Sequence, residues 1–132
     1  IIGFLIIKGD QMSVDNLSDK KCIPCQGGVP ILKPEEVKEY REAIGEEWEV
    51  THEFTRLYRS VKTKDFADSM AIAHKIGLLA DEQWHHPELV VGFGHLDIEV
   101  WTHKIDGLVE SDFIFASKVD KLLGEESSLI KS

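Results

Sequence analysis

Asp81-Glu82-Gln83-Trp84-His85-His86-Pro87 is the junction on which the fold of this chain turns. Upstream of it, Phe66, Met70, Ala73, Ile76, Gly77 and Ala80 recur at helical spacing. A helix is therefore predicted over 63–80 with Thr63 as its N-cap. Pro87 cannot continue a helix and biases the residue before it toward extended backbone, so the chain must leave the helix at the histidines. Downstream, 88–94 and 96–102 read as strands. Val91 and Phe93 share one parity of the first, and Ile98 and Val100 one parity of the second. Gly92, Gly94 and His95 between them predict a hairpin that turns near Gly94.

Working outward, Pro34 opens a helix where its missing N–H costs nothing, and Glu35 and Glu36 suit the first turn. Val37, Tyr40 and Ile44 form its stripe, and Gly45 stops it. From Trp48 the pattern becomes strand: Trp48, Val50, His52 and Phe54 alternate with polar residues. Leu57 and Val61 then occupy the other parity, which implies a bulge or bend near Thr55, giving one long bent strand or two short ones. Ser111 is read as the cap of a last helix through Leu123, with Phe115, Val119 and Leu122 inward. The order helix, strands, helix, strand pair, helix predicts an α+β domain. Its architecture is two-layer, an antiparallel four-stranded sheet with helices packed on one face. The domain spans 34–124, after a loop-rich lead over 12–33 and before a polar, frayed tail over 125–132. Residues 1–11 are read as an upstream or appended extension, because Met12 opens a segment like a natural start; an added strand is the alternative.

Composition limits what such a domain does. The 132 residues are 42% hydrophobic, enough for a packed core. A formal charge of −9, from 24 acids against 15 bases, argues against nucleic acid or an anionic membrane surface as direct partner. The apolar run 1–7 is far short of the roughly 20 residues a membrane helix needs and lacks a basic leader. Cys22 and Cys25 are too few for a disulfide scaffold and fit a reducing cytoplasm. As a pair they admit three readings: redox chemistry, a shared metal site, or no special chemistry.

The chemistry concentrates around the junction. In extended backbone His85 and His86 point to opposite sides, so they serve different tasks. An imidazole with a pKa of about 6.5 gives and takes protons near neutrality. Asp81 precedes His85, Phe93 follows Pro87, His103 ends the second hairpin strand, and Asp112 sits in the first turn of the last helix. An antiparallel hairpin returns His103 to the level of His85 and His86, so the three imidazoles are expected to converge. Zinc is the alternative use of such a set. The adjacent pair suits a cage poorly, so no metal is expected. His52, His74 and His95 fall outside this set and are read as surface or partly buried polar residues.

The run Asp81-x3-His85-His86-Pro87-x5-Phe93-x9-His103-x8-Asp112 resembles the signature of the pterin-4a-carbinolamine dehydratases. Trp48, Asp65-Phe66, Gly107-Leu108 and the Cys22-x2-Cys25-x-Gly27-Gly28 lead also look like members of that family, so the likeness covers roughly 18–123. Asp81 stands where many members have glutamate, the segment 51–60 is longer than in compact members, and Trp84 is atypical. The resemblance implies a hydro-lyase that removes water from a 4a-hydroxytetrahydropterin. Its product is a quinonoid dihydropterin, which recycles the cofactor of aromatic amino acid hydroxylases. No metal or organic cofactor is implied. His85 and His103 are read as the proton-transfer pair and His86 as the residue that holds the pterin. Asp81 and Asp112 orient imidazoles or accept pterin N–H groups, Pro87 lies at the substrate, and Phe93 shapes the pocket wall. The alternative is a non-catalytic binding, assembly or coactivator protein of the same fold: an animal relative associates with a homeodomain transcription factor, and plant relatives act in assembly. Helix 63–80 carries further apolar faces, with Ile72 and Leu79 on one and Ala67, Ala71 and Leu78 on another. A homo-oligomer joined partly through them is therefore expected, and the resemblance implies a homodimer or homotetramer.

Overall fold

Leu96, Ile98 and Val100 are fully buried and alternate with half-buried His95, Asp97 and Glu99 along β4 (His95–Val100). That period of two gives the sheet one covered face and one open face. On one side β4 pairs antiparallel with β3 (Glu88–Gly92), Leu89 opposite Ile98 and Val91 opposite Leu96. On its other side it pairs with β2 (Arg56–Lys62), which in turn pairs with β1 (Glu49–Thr51). The four strands lie in the order β1-β2-β4-β3, all antiparallel. The β3–β4 hairpin turns through Phe93 and Gly94, and Gly94 takes the positive φ of +85° that such a turn demands.

This is a computed structural model, and it describes residues 16–23 and 30–131. The extension over 1–11 and, within the lead segment, residues 12–15 and 24–29 with Cys25 lie outside the described residues. Among the described residues three α-helices cover the sheet: α1 (Pro34–Arg41), α2 (Phe66–Gln83) and α3 (Glu110–Glu125). Val37 and Tyr40 from α1, Ile72, Ile76 and Ala80 from α2, and Phe113, Phe115, Ala116 and Val119 from α3 share one core with Trp48, Leu57 and β4. Burying each large side chain there stabilises the fold by about 1.5–3 kcal/mol. The expected α+β architecture, with an antiparallel four-stranded sheet and helices on one face, is the one observed.

Several local expectations are corrected. The parity slip between Phe54 and Leu57 is a hairpin turn, so the region forms two short strands. His52, Glu53 and Phe54 all take positive φ there, and Thr55 Oγ1 braces the turn by donating to His52 O at 2.6 Å. Thr63 is not the cap of α2. Asp65 is, accepting from the Asp68 N–H at 2.9 Å, while the buried Thr63 hydroxyl meets Ser69 Oγ at 2.6 Å. That contact satisfies Ser69, so α2 turns Ser69, Ile72, Ile76 and Ala80 inward. Phe66 and Met70 are left 47% and 48% exposed. Ile72 is therefore core and not an outer face: on a helix apolar nearly all round, hydrophobicity alone does not rank the faces. Ser111 is not a cap either. It lies inside α3, and its hydroxyl accepts from the Ile23 N–H at 2.9 Å.

Candidate active site

The way α2 stops decides where the histidines go. The Trp84 N–H bonds Asp81 O at 3.4 Å, and the His85 N–H reaches back to Ala80 O at 3.1 Å. These are the paired bonds of a Schellman stop, which needs a left-handed residue between them. Trp84 supplies it at φ 55°, ψ 44°, a conformation that costs a non-glycine residue roughly 1–2 kcal/mol. The reversal turns His85 into the interior and leaves Trp84 and His86 exposed. Pro87 then starts the extended run into β3.

His85 meets Asp112 at the base of the site. Its Nε2 lies 2.7 Å from Asp112 Oδ1, while Asp112 Oδ2 accepts from Thr102 Oγ1 and the Val109 N–H, each at 2.8 Å. The carboxylate is wholly buried, and three donors converge on it, which is the condition under which a buried charge is tolerated. With a carboxylate as acceptor Nε2 carries a proton, so in the neutral imidazole Nδ1 is the nitrogen with the lone pair. Among the described residues Nδ1 has no hydrogen-bond partner, and His85 lines a cavity. The ring thus presents a base to the cavity with a carboxylate behind it.

The other two imidazoles are held differently. His86 Nε2 lies 3.0 Å from Asp81 Oδ1, with both side chains largely exposed, and the Trp84 ring sits edge-on 5.7 Å from the His86 ring. Among the described residues His103 has no side-chain hydrogen-bond partner, and it packs on Trp101, ring centroids 4.2 Å apart. His85, His86 and His103 line one cavity of about 200 Å³, together with Trp84, Trp101, Thr102 and Lys104. A second cavity, of about 320 Å³, takes Asp81, Pro87 and the other side of His86.

Of the residues expected at the site, the three histidines come together, Asp112 backs one of them, and Asp81 pairs with another. Pro87 faces the second cavity. Phe93 is corrected: it lines neither cavity and is 76% exposed at the β3–β4 turn. Since β3 ends at Gly92, Phe93 is carried to the far end of the hairpin, on the order of 20 Å from the histidines at about 3.3 Å per residue. Thr102 and Trp101 were not singled out from sequence. The inward parity of Ile98 and Val100 extends to Thr102 and was the available signal.

Around this site the lead segment is stitched down. The Cys22 N–H donates to Gln83 Oε1 at 3.1 Å, and Ile23 bonds Ser111, so the strap joins the end of α2 to the start of α3. Burial pushes the Cys22 thiol up to about 12 against a smaller opposing pull from Lys118, so it stays protonated at neutral pH. Among the described residues no three His, Cys, Asp or Glu side chains form a group that could hold a metal ion. None of the described helices is long and apolar enough to cross a membrane.

Residues 30–122 match the family described as pterin 4 alpha carbinolamine dehydratase. A relative from Rickettsia bellii, provisionally named a pterin-4-alpha-carbinolamine dehydratase, is 48% identical over 107 residues, which cover 81% of this chain and 94% of the relative. Another of the same provisional name, from Alkaliphilus metalliredigens, is 45% identical over 112 residues, covering 85% of this chain and all of the relative. Among solved structures, a transcriptional coactivator/pterin dehydratase from Brucella melitensis superposes with a TM-score of 0.64 at 27% identity, covering 70% of this chain and 98% of the other.

Proposed function

The chain belongs to the pterin 4 alpha carbinolamine dehydratase family, and from that premise we propose that it is a hydro-lyase acting on a 4a-hydroxytetrahydropterin by histidine acid–base catalysis. The observation that carries this reading is the convergence of His85, His86 and His103 on one cavity. The reaction takes a proton from N5, delivers one to the departing 4a-hydroxyl, and releases water and a quinonoid dihydropterin. No electrons are gained or lost and no cofactor is needed, so imidazoles near neutrality suffice, each step typically worth 10²–10⁴-fold. His85, with Nδ1 free and Asp112 behind Nε2, and His103 across the cavity are the proton-transfer pair; His86 holds the pterin. The reading places the reaction in the cytoplasm, recycling the cofactor of aromatic amino acid hydroxylases.

Stopped-flow dehydration tests it. His85→Ala and His103→Ala are each expected to lower turnover at least about ten-fold, with circular dichroism unchanged, and His86→Ala to raise KM more than it lowers kcat. Activity is expected to persist after exhaustive chelation. Wild-type rates in both alanine variants would remove the assignment, and a chelation loss restored by zinc would replace it with metal catalysis.

The same reading includes a homo-oligomer. Its contact is assigned to the open face of α2, where Phe66, Met70 and Leu78 are solvent-exposed. Met70→Glu with Leu78→Glu is expected to lower the mass seen by light scattering without unfolding; a wild-type monomer at micromolar concentration would refute it.

A further inference from the structure

Among the described residues His85 and His86 each have a carboxylate partner, and His103 has none. What holds it is an aromatic stack set by strand register. Leu57 lies opposite Val100, so the antiparallel ladder brings Arg56 beside Trp101. Arg56 Cζ sits 4.1 Å over the Trp101 ring, and His103 packs against that ring with its plane tilted by 50°. Arg56 is anchored in turn: Nη2 donates to Asp106 Oδ1 at 2.7 Å, and Nη1 donates to Thr55 O at 3.0 Å. Asp106 belongs to the turn that starts at His103 and closes where Thr102 pairs with Gly107. The chain Asp106–Arg56–Trp101–His103 therefore closes on itself. Three side chains, Arg56 from β2, Trp101 just past β4 and Asp106 from the turn, determine the pose of a single imidazole.

We propose that Trp101, clamped by Arg56, is the positioning residue that sets the His103 ring for proton transfer, in the place a carboxylate takes for the other two histidines. This rests on the reading that His103 transfers a proton. An exposed imidazole with no hydrogen bond samples several rotamers, and only a fraction face the substrate. A tryptophan face held rigid by a guanidinium restricts those rotamers by packing. Unlike a carboxylate, it leaves both ring nitrogens free to exchange protons.

The test is a double-mutant cycle with a spectroscopic readout. Trp101→Leu is expected to lower kcat roughly ten-fold with little change in KM, because positioning is lost while binding stays. Trp101→Phe is expected to restore most of it. In protein NMR the His103 ring protons are expected to lose their ring-current shift in Trp101→Leu, while those of His85 stay in place. In the His103→Ala background, Trp101→Leu is expected to have no further effect on kcat. Arg56→Met, which keeps the indole, is expected to move the same His103 resonances and lower kcat a few-fold, roughly a third of the protein's turnover remaining. This variant decides the matter if Trp101→Leu fails to fold. Full kcat in Trp101→Leu, or a loss that persists without His103, would overturn the inference. A wild-type rate in His103→Ala would instead remove the reading beneath it.

Discussion

Two histidine–aspartate pairs stand side by side in this molecule and are built on opposite terms. His85 is 9% exposed and Asp112 not at all, 2.7 Å apart, with Thr102 and Val109 completing the carboxylate. His86 and Asp81 are 3.0 Å apart with side chains 50% and 77% exposed, and among the described residues no second donor reaches the carboxylate. The histidines are adjacent in sequence, so the difference comes from the left-handed Trp84 and from Pro87, which turn one ring in and one out. Burial decides what each pair does. An ion pair in water is worth little, whereas a buried acceptor facing three donors dictates ring orientation and tautomer.

The comparison breaks most visibly at Asp112. Asp112→Asn puts an amide NH2 among donors that all need an acceptor. It is expected to lower dehydration roughly 100-fold and to destabilise the fold by about 1–3 kcal/mol, read by stopped flow and by thermal circular dichroism. A variant within a few-fold of wild type would mean that His85 does not depend on its buried partner. Thr102→Val removes one donor and keeps the shape, so a loss of about 1–2 kcal/mol and a several-fold lower kcat are expected. An unchanged melting temperature would show that the Thr102 hydroxyl is dispensable to the carboxylate. The smallest effect is expected at the exposed pair. Asp81→Asn should leave stability within about 0.5 kcal/mol and raise KM a few-fold, and a collapse in kcat there would erase the distinction between the pairs.

Much of this was legible in the chain. The period of two over 96–100, the helical spacing of 66–80 and the glycine at the hairpin turn led to the α+β sheet, and the hairpin argument led to the convergence of His103 with His85 and His86. Phe93 failed because strand length, not spacing from Pro87, sets which end of the hairpin a residue reaches. Ile72 failed because α2 is apolar on several sides, and the choice among them rests on Ser69 meeting Thr63 at the end of β2. Thr63 and Ser111 failed as caps for a related reason: each hydroxyl is engaged by a tertiary partner.

Local stereochemistry and periodicity act over a few residues, and so the sequence by itself determined the elements, the sheet, the stop at the histidines and the identity of the imidazoles. What then holds His85 and His103 in place depends on contacts between segments far apart in the chain: Asp112 behind His85, and Arg56 over the Trp101 ring that His103 packs on. Those contacts exist only once strand register and helix rotation are settled by packing of the whole core, which no local pattern contains.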